Sequence, residues 1–496
     1  MKVIGITALS HDASVSAVDN GKILYAGHSE RMTGVKFDHR LTNELVQTAI
    51  DHLRSRPDAI AFYERPWLKK SRQLYAKQYN EVFTTENVPS AYFKTIPALQ
   101  ELKDIPVHYY PHHLTHAAAG AMTSPFGRAA IVVADAIGEW ECLTIWKWQA
   151  PNRFVKMHSI SYPHSLGLLY TAFTTLVGLK PNEEEYILMG MAAYGSPIYT
   201  GKILREFFIP NELCKLRVNT HRGIRGYLPS ANPFDIAASA QSAFEMKLAE
   251  IMQFARTLTK EENLVFMGGT ALNCLANSNI LHDIFKRVWI MPNPGDAGSS
   301  LGAALLVQGK KAHWETPYLG NNIDGDYPVE PLLESLLRGE IVGVANGRAE
   351  FGPRALGNRS LLADPRGATI KGRVNEIKKR QEFRPFAPVI MEDFAHDFFG
   401  FPDGVKTSPY MQYVANCLNP VDYPAIVHVD WTSRVQTVNP DQHPGLYELL
   451  SRFYAETGCP MLLNTSLNIR GKPMVDNEAD ANEFTKTYGI KVFTRG

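Results

Sequence analysis

The chain has 496 residues, 45 % of them hydrophobic and 20 % charged, with a formal net charge of +1. That composition suits a soluble enzyme of about two to four domains and gives no support for whole-molecule attraction to nucleic acid or an anionic membrane. Apolar stretches too short for a bilayer, a start (Met-Lys-Val-Ile-Gly-Ile-Thr) without a signal-peptide core, and five scattered cysteines with no C-x-x-C pair argue for reduced thiols in a cytosol. In chain order, residues 3–7 predict a first strand, followed by the polar turn Ser10-His11-Asp12. Strands at 14–18 and 22–26 flank Asp19-Asn20-Gly21, and Asn-Gly between extended runs is a strong hairpin signal. A helix is expected at 42–54. The plan then recurs: a strand at 129–134, a turn at Asp135-Ala136-Ile137-Gly138, and a second strand at 142–148. Two copies of strand, acidic turn and hairpin suggest a duplicated α/β domain with ligands between its halves. Helices are expected at 166–177, 236–258 and 299–308. The apolar strand 264–267 runs into Gly268-Gly269-Thr270, with a helix after it. Around 310–330 the pattern dissolves into Gly, Asn, Asp and Pro, which reads as a domain boundary. A second α/β unit begins with a strand at 341–345 and ends with a strand at 461–464 and an acidic helix at 476–486.

His112 and His116, at i and i+4, stand on one face of a helix, close enough to hold one metal ion. A lone H-x-x-x-H is more often an ordinary polar helix; the strand-end aspartates Asp135 and Asp296 tip the balance. Together the four make a nitrogen/oxygen ligand set without thiolates, suited to Fe²⁺, Mn²⁺ or Zn²⁺. His113 faces elsewhere. Gly268 and Gly269 suit close approach to a phosphate or ribose, and Asn273 a hydrogen bond to ribose or base; a sharp turn needs glycine in any case. His11 has two readings of equal weight: a general base toward an attacking hydroxyl, or a solvent-facing side chain in a turn capped by Asp12.

In the C-terminal part, Gly352-Pro-Arg354-Ala-Leu-Gly-Asn358-Arg359-Ser360 mixes tight turns with two arginines. Between Arg366 and Arg384 stand seven Lys/Arg against only Glu376 and Glu382, a run most simply read as a solvated basic face. Lys378-x-Arg380, if extended, puts both cations on one side of a strand, and Ser466-x-Asn468 does the same with two neutral donors. A cavity built that way suits a small dianion beside a nucleoside triphosphate. No Walker-type G-x-x-x-x-G-K-[ST] loop is present.

Assembled in order, GITALSHDAS, SERMTGVKFDH, HHLTHAAAG, VVADAIGE, YPHSLGLLYTAFT, MGMAAYG, GGTALNCLAN, NPGDAGSSLGAA, FGPRALGNRS, FRPFAP and LLNTSLNIRG resemble the O-carbamoyltransferases of the NodU nodulation, cephalosporin and tobramycin type over nearly the whole chain. The resemblance implies an actin/sugar-kinase-like duplicated domain over 1–325 and a YrdC-like domain over 326–496. The latter is expected to turn carbamoyl phosphate and ATP, with Mg²⁺, into carbamoyl adenylate and pyrophosphate; the former passes the carbamoyl group to an acceptor hydroxyl. Carried over residue by residue, His112, His116, Asp135 and Asp296 become ligands of a metal, with iron foremost. His11, beside Asp12, becomes catalytic, and Gly268, Gly269 and Asn273 hold the adenylate. Arg354, Lys378, Arg380, Arg384, Ser466 and Asn468 bind carbamoyl phosphate and ATP. Two departures stand out: Ile187 replaces the family's lysine before M-G, and Gln381 replaces the glutamate of K-x-R-E. The implied acceptor is a sugar, antibiotic or other natural-product hydroxyl, with a hydroxymethylated nucleobase, free or in DNA, as a minority reading. No membrane partner is implied, and a homodimer is carried as a candidate assembly. The competing readings are a kinase or ATPase of the same superfamily and a non-enzymatic nucleotide sensor.

Overall fold

The computed structural model describes residues 1–84 and 88–496. Its contacts divide the chain into two units, Met1–Ser29 with Phe37–Glu315, and Glu30–Lys36 with Thr316–Gly496.

The first unit holds two five-stranded sheets. One contains β1 Lys2–Thr7, β2 Ser14–Asp19, β3 Lys22–His28, β4 Ala59–Phe62 and β5 Val107–Tyr109, in the order β3-β2-β1-β4-β5. The other contains β6 Arg128–Gly138, β7 Glu141–Gln149, β8 Arg153–Ser161, β9 Asn263–Met267 and β10 Arg287–Trp289, in the order β10-β9-β6-β7-β8. In each, the first strand in sequence is central. It has an antiparallel meander on one side and two parallel strands on the other. The first hairpin turns at Asn20 and Gly21, both at positive φ, the geometry that favours Asn-Gly there.

The second hairpin departs from expectation. β6 continues through Asp135 to Gly138, with an irregular register from Ala134 onward, and the chain reverses at Glu139–Trp140. Gly138 is needed in this stretch, since a Cβ there would lie 2.4 Å from the His112 ring.

Helix α1, His112–Thr123, follows β5 of the first sheet but packs on β6, β7 and β9 of the second. The helix Ser299–Gln308 does the converse, leaving β10 to pack on β1, β2 and β4 and against α1. The pair therefore forms a shared layer between the sheets. Backbones touch there: a Cβ on Gly302 would fall 1.9 Å from the Thr115 carbonyl oxygen, and one on Gly5 1.9 Å from that of Ser300. Helices α2 Pro233–Thr259 and α3 Cys274–Ile284 complete the elements used below, and Ser299–Gln308 is α4.

The second unit is built on a six-stranded mixed sheet. Its strands are β11 Val342–Ala345, β12 Arg359–Ala363, β13 Ala387–Met391, β14 Gln436–Val438, β15 Met461–Ser466 and β16 Val492–Phe493, in the order β14-β13-β15-β12-β11-β16. Val342, Val344, Leu362, Val389, Leu462, Leu449 and Phe453 are among the residues of its core. Helix α5, Ile370–Ile377, ends at Lys378, and Lys379 takes a left-handed φ of 51°. The segment 378–380 is thus a helix exit, so the condition under which Lys378 and Arg380 would share one side of a strand is not met. The terminal helix α6, Glu478–Tyr488, begins two residues later than expected, because Asn477 and Asp480 form a reciprocal capping box. All five cysteines are free and buried. Among the described residues, no helix is long and apolar enough to cross a membrane.

Candidate functional site

The first unit gathers its chemistry from four parts of the chain. α1 presents His112 and His116 one turn apart, β6 delivers Asp135, the turn before α4 supplies Asp296, and the loop after β1 carries His11. The ligand atoms of His112, His116, Asp135 and Asp296 all lie within 4.8 Å of one another, and all four residues are buried. His112 Nε2 is 3.0 Å from His116 Nε2, 3.3 Å from Asp296 Oδ1 and 3.6 Å from Asp135 Oδ2. His116 Nδ1 lies 3.1 Å from the Pro294 carbonyl oxygen, to which it donates as N–H. In the neutral ring that leaves a lone pair on Nε2, which faces Asp296 Oδ1 at 3.2 Å. Two electron-rich atoms so placed need a proton or a cation between them. Burial opposes charge throughout this cluster. Even so, Asp296 and Asp135 hold the His112 pKa well above the imidazole range, and His112 and His11 hold that of Asp296 well below the carboxylate range.

His11 borders the same cluster and keeps 46 % of its side chain exposed. Its Nδ1 is 3.0 Å from Asp12 Oδ2, and its Nε2 is 3.6 Å from Asp296 Oδ2. Desolvation acts to lower its pKa, but Asp296 and Asp12 outweigh this and raise it to about 10. Asp296 and Asp12 thus favour the protonated imidazole in this arrangement of charges. His113 faces away: its Nδ1 pairs with Thr144 Oγ1 at 3.0 Å, and burial, with the charge of His112, keeps its pKa well below normal.

Glu64 carried no motif and was missed. Its Oε2 stands 4.0 Å from His112 Nδ1, a buried nitrogen with no hydrogen bond. Its Oε1 receives Lys69 Nζ at 2.8 Å, and the same ammonium reaches the Leu9 carbonyl at 3.0 Å, in the loop that leads to His11. The signal that could have found it is an acidic residue just beyond the apolar strand β4, the pattern that drew attention to Asp135.

The glycine turn abuts this cluster. Gly268 has φ +92°, donates its N–H to Pro294 at 2.9 Å, and lies so close to β6 that a Cβ would come within 2.2 Å of the Ala134 carbonyl oxygen. Gly269 N–H donates to Asp135 Oδ1 at 3.1 Å. Asn273 is engaged internally: its Oδ1 caps α3 through Ala276 N at 3.0 Å, and its amide exchanges hydrogen bonds with Gln241. Gln241 in turn accepts from the Tyr170 hydroxyl at 2.7 Å. Ile187 is buried in the apolar interior.

The second unit has a different centre. Lys378 is buried, and its Nζ donates to Ser466 O at 2.5 Å, Ser466 Oγ at 3.1 Å and Asn468 Oδ1 at 2.8 Å. Burial pushes its pKa well below the lysine value, and Arg380, Arg384 and Lys36 push the same way. Arg380 donates to Asn375 Oδ1 at 2.6 Å and lies 3.9 Å over the Phe386 ring; Arg384 is half-buried nearby in sequence. Arg354 is half-buried in a turn organised by Glu350, whose Oε1 accepts from the backbone N–H groups of Leu356, Asn358 and Arg359 at 2.8, 2.9 and 3.2 Å. Arg359 is fully buried, its guanidinium spent on the carbonyls of Asn346, Asn358, Asn321 and Asp476. It is structural.

Residues 2–305 match the family model described as the carbamoyltransferase N-terminus, and residues 333–495 match the carbamoyltransferase C-terminus. An uncharacterised protein of Synechocystis is 33 % identical over 97 % of this chain and 93 % of its own length. The 3'-hydroxymethylcephem-O-carbamoyltransferase of Amycolatopsis lactamdurans is 27 % identical over 97 % of this chain and 95 % of its own. Among solved structures, HypF of T. kodakarensis is similar at 13 % identity and a TM-score of 0.37, over 62 % of this chain and 47 % of that one. Matched along most of its length by both halves of one family, the chain belongs to the carbamoyltransferases and is an enzyme of that class.

Proposed function

We propose that the enzyme is an ATP-dependent O-carbamoyltransferase that works in two steps at two centres. In this reading 326–496 is a YrdC-like adenylating domain and 1–325 an actin/sugar-kinase-like transfer domain. The observation that carries it is the chemical contrast between the two centres: an acid–imidazole cluster in one unit, and in the other a buried lysine held by Ser466 and Asn468 with further cations bearing on it.

In the first step carbamoyl phosphate and ATP give carbamoyl adenylate, pyrophosphate and orthophosphate, with one water consumed in freeing the carbamate. Lys378, Arg380, Arg384 and Arg354 hold the phosphates, and Ser466 and Asn468 fix the lysine ammonium and the carbamoyl group. In the second step the acceptor hydroxyl attacks the carbamoyl carbon, the C–O bond to AMP breaks, and AMP leaves. His11, open to the cleft and braced by Asp12, orients the acceptor and exchanges its proton. Gly268, Gly269 and Asn273 border the adenylate. Enclosure of the adenylate protects it from water.

The donor set of the cluster fits a borderline dication: two imidazole nitrogens, two carboxylates and no thiolate, with a lone pair already turned inward on His116. His112, His116, Asp135 and Asp296 would hold it, with Fe²⁺ foremost and Mn²⁺ or Zn²⁺ as alternatives. Bound there, it supplies a Lewis acid that polarises the carbamoyl group or its phosphate. Acceptors are hydroxyls of sugars or other natural products, or of a hydroxymethylated nucleobase.

The test is pyrophosphate release from ATP with and without carbamoyl phosphate, in protein loaded anaerobically with Fe²⁺. Release that depends on carbamoyl phosphate is expected. ADP in place of AMP and pyrophosphate would favour a kinase and sink this reading.

A further inference from the structure

We infer that Arg31 is a phosphate-oxygen ligand of the second unit, supplied to it by the N-terminal part of the chain. The segment Glu30–Lys36 groups with Thr316–Gly496 although the rest of the first 315 residues does not. Within it Arg31 is buried, with 4 % of its side chain exposed. Its Nη2 reaches the Gly352 carbonyl at 3.4 Å, while Nε and Nη1 are buried without a hydrogen bond. Among the described residues, its ion-pair contact is Glu30 Oε1, 3.9 Å from Nε and too far to be a hydrogen bond.

Arg359, the other deeply buried arginine of this unit, shows what a structural guanidinium looks like, with its N–H groups on backbone carbonyls. Arg31 shows the opposite. A buried charged donor left without an acceptor carries an uncompensated desolvation cost, so a fold that retains one holds it for something that arrives later. The guanidinium fork matches a carboxylate or phosphate edge.

Its surroundings select phosphate. Gly352 opens the turn that carries Arg354, and Lys36, at the other end of the segment, is one of the three cations whose charge bears on Lys378. Arg31 thus joins a field already set for an anion of more than one charge, a phosphate monoester or anhydride. This assignment rests on the adenylating role given to the second unit, and it adds that the unit's anion site is incomplete without residues 30–36.

The experiment uses the full chain. Inorganic phosphate, carbamoyl phosphate and a non-hydrolysable ATP analogue are titrated into wild type, Arg31→Gln, Arg31→Lys and Arg366→Gln, and melting temperatures are recorded alongside. Arg31→Gln is expected to weaken at least one phosphate ligand about 10- to 100-fold. Whether carbamoyl phosphate or the ATP analogue suffers more identifies which phosphate the fork meets. Arg31→Lys keeps the charge and recovers part of the loss. Arg366→Gln, which removes an exposed cation paired with Asp364, leaves all three affinities unchanged.

A folded Arg31→Gln with wild-type affinities and only a lowered melting temperature would make Arg31 a prop for the Gly352 turn and overturn the inference. If Arg31→Gln does not fold, the lysine variant decides: undiminished affinity there overturns it. A wild type that binds phosphate but releases no pyrophosphate would defeat the adenylating role and leave the Arg31 contact standing.

Discussion

In the cluster of the first unit, carboxylates and imidazoles alternate: Asp296 lies 3.3 Å from His112, 3.2 Å from His116 and 3.6 Å from His11, and Asp135 lies 3.6 Å from His112. In the second, Lys378 is buried against neutral oxygens of Ser466 and Asn468 while the charges bearing on it are further cations. Desolvation penalises both centres; the first offsets it with opposite charges, and Lys378 is held by hydrogen bonds to neutral oxygens. A mixed-sign cluster can wait in its final geometry for a cation. Around Lys378 the neighbouring cations Arg380, Arg384 and Lys36 add to the effect of burial. The same handful of polar residue types therefore makes two centres of different charge arrangement, and sign separates them more clearly than composition does.

The sharpest way to break this contrast is to remove one charge from each centre. Lys378→Ala should cut pyrophosphate release by about 10³-fold, in line with about 4 kcal/mol for an interaction with a buried charge. Asp135→Ala should spare that step and lose bound metal and carbamoyl transfer to a similar degree. Loss of both activities at a common step in the two variants would dissolve the two-centre division.

A subtler probe is Glu64→Gln, which keeps the shape but removes the carboxylate facing His112 Nδ1. Groups that orient a ligating histidine typically contribute about 10- to 100-fold to metal affinity. Chelator competition should show a loss in that range while pyrophosphate release holds. Unchanged affinity would confine Glu64 to holding Lys69.

Gly302→Ala places a methyl group on the Thr115 carbonyl at the α1–α4 crossing. It should destabilise the protein by about 1–3 kcal/mol in thermal melts and weaken the metal site through α1. A neutral result would mean that the helix pair is looser than its contacts imply.

The smallest effect is a pH trend. Lys378 has a depressed pKa when folded, so the unfolded chain binds more protons than the folded one from that pKa up to about 10.4, and stability rises with pH across that window. A bound phosphate favours the charged lysine and relieves the depression. The stabilisation given by inorganic phosphate should therefore shrink as pH rises toward 10, by at most about 1.4 kcal/mol per pH unit for one proton. Stabilisation that grew with pH would place the phosphate away from Lys378.

Much of the first centre was legible in sequence because each piece is locally encoded. The i, i+4 spacing puts His112 over His116 on any helix, and Asp135 and Asp296 follow apolar runs that end in glycine-containing turns. The missed pieces depend on partners. Glu64 matters because α1 brings His112 to it, and Arg31 because its short segment joins the second unit. Asn273 also exchanges hydrogen bonds with Gln241, a partner from α2 that local sequence does not reveal. The extended arrangement considered for 378–380 is not adopted, because Lys379 takes a left-handed conformation at the end of the helix.

By itself, the sequence determined an α/β chain, its first hairpin, the α1 histidine pair and the family it resembles, since helical period, turn chemistry and strand patterning are properties of a few consecutive residues. Only the tertiary structure decided that Asp296 meets His116 across 180 residues of chain, and that Lys378 meets Ser466 across 88. Those meetings are set by which apolar faces bury against each other, a sum of many small terms spread over both sheets and their shared helices.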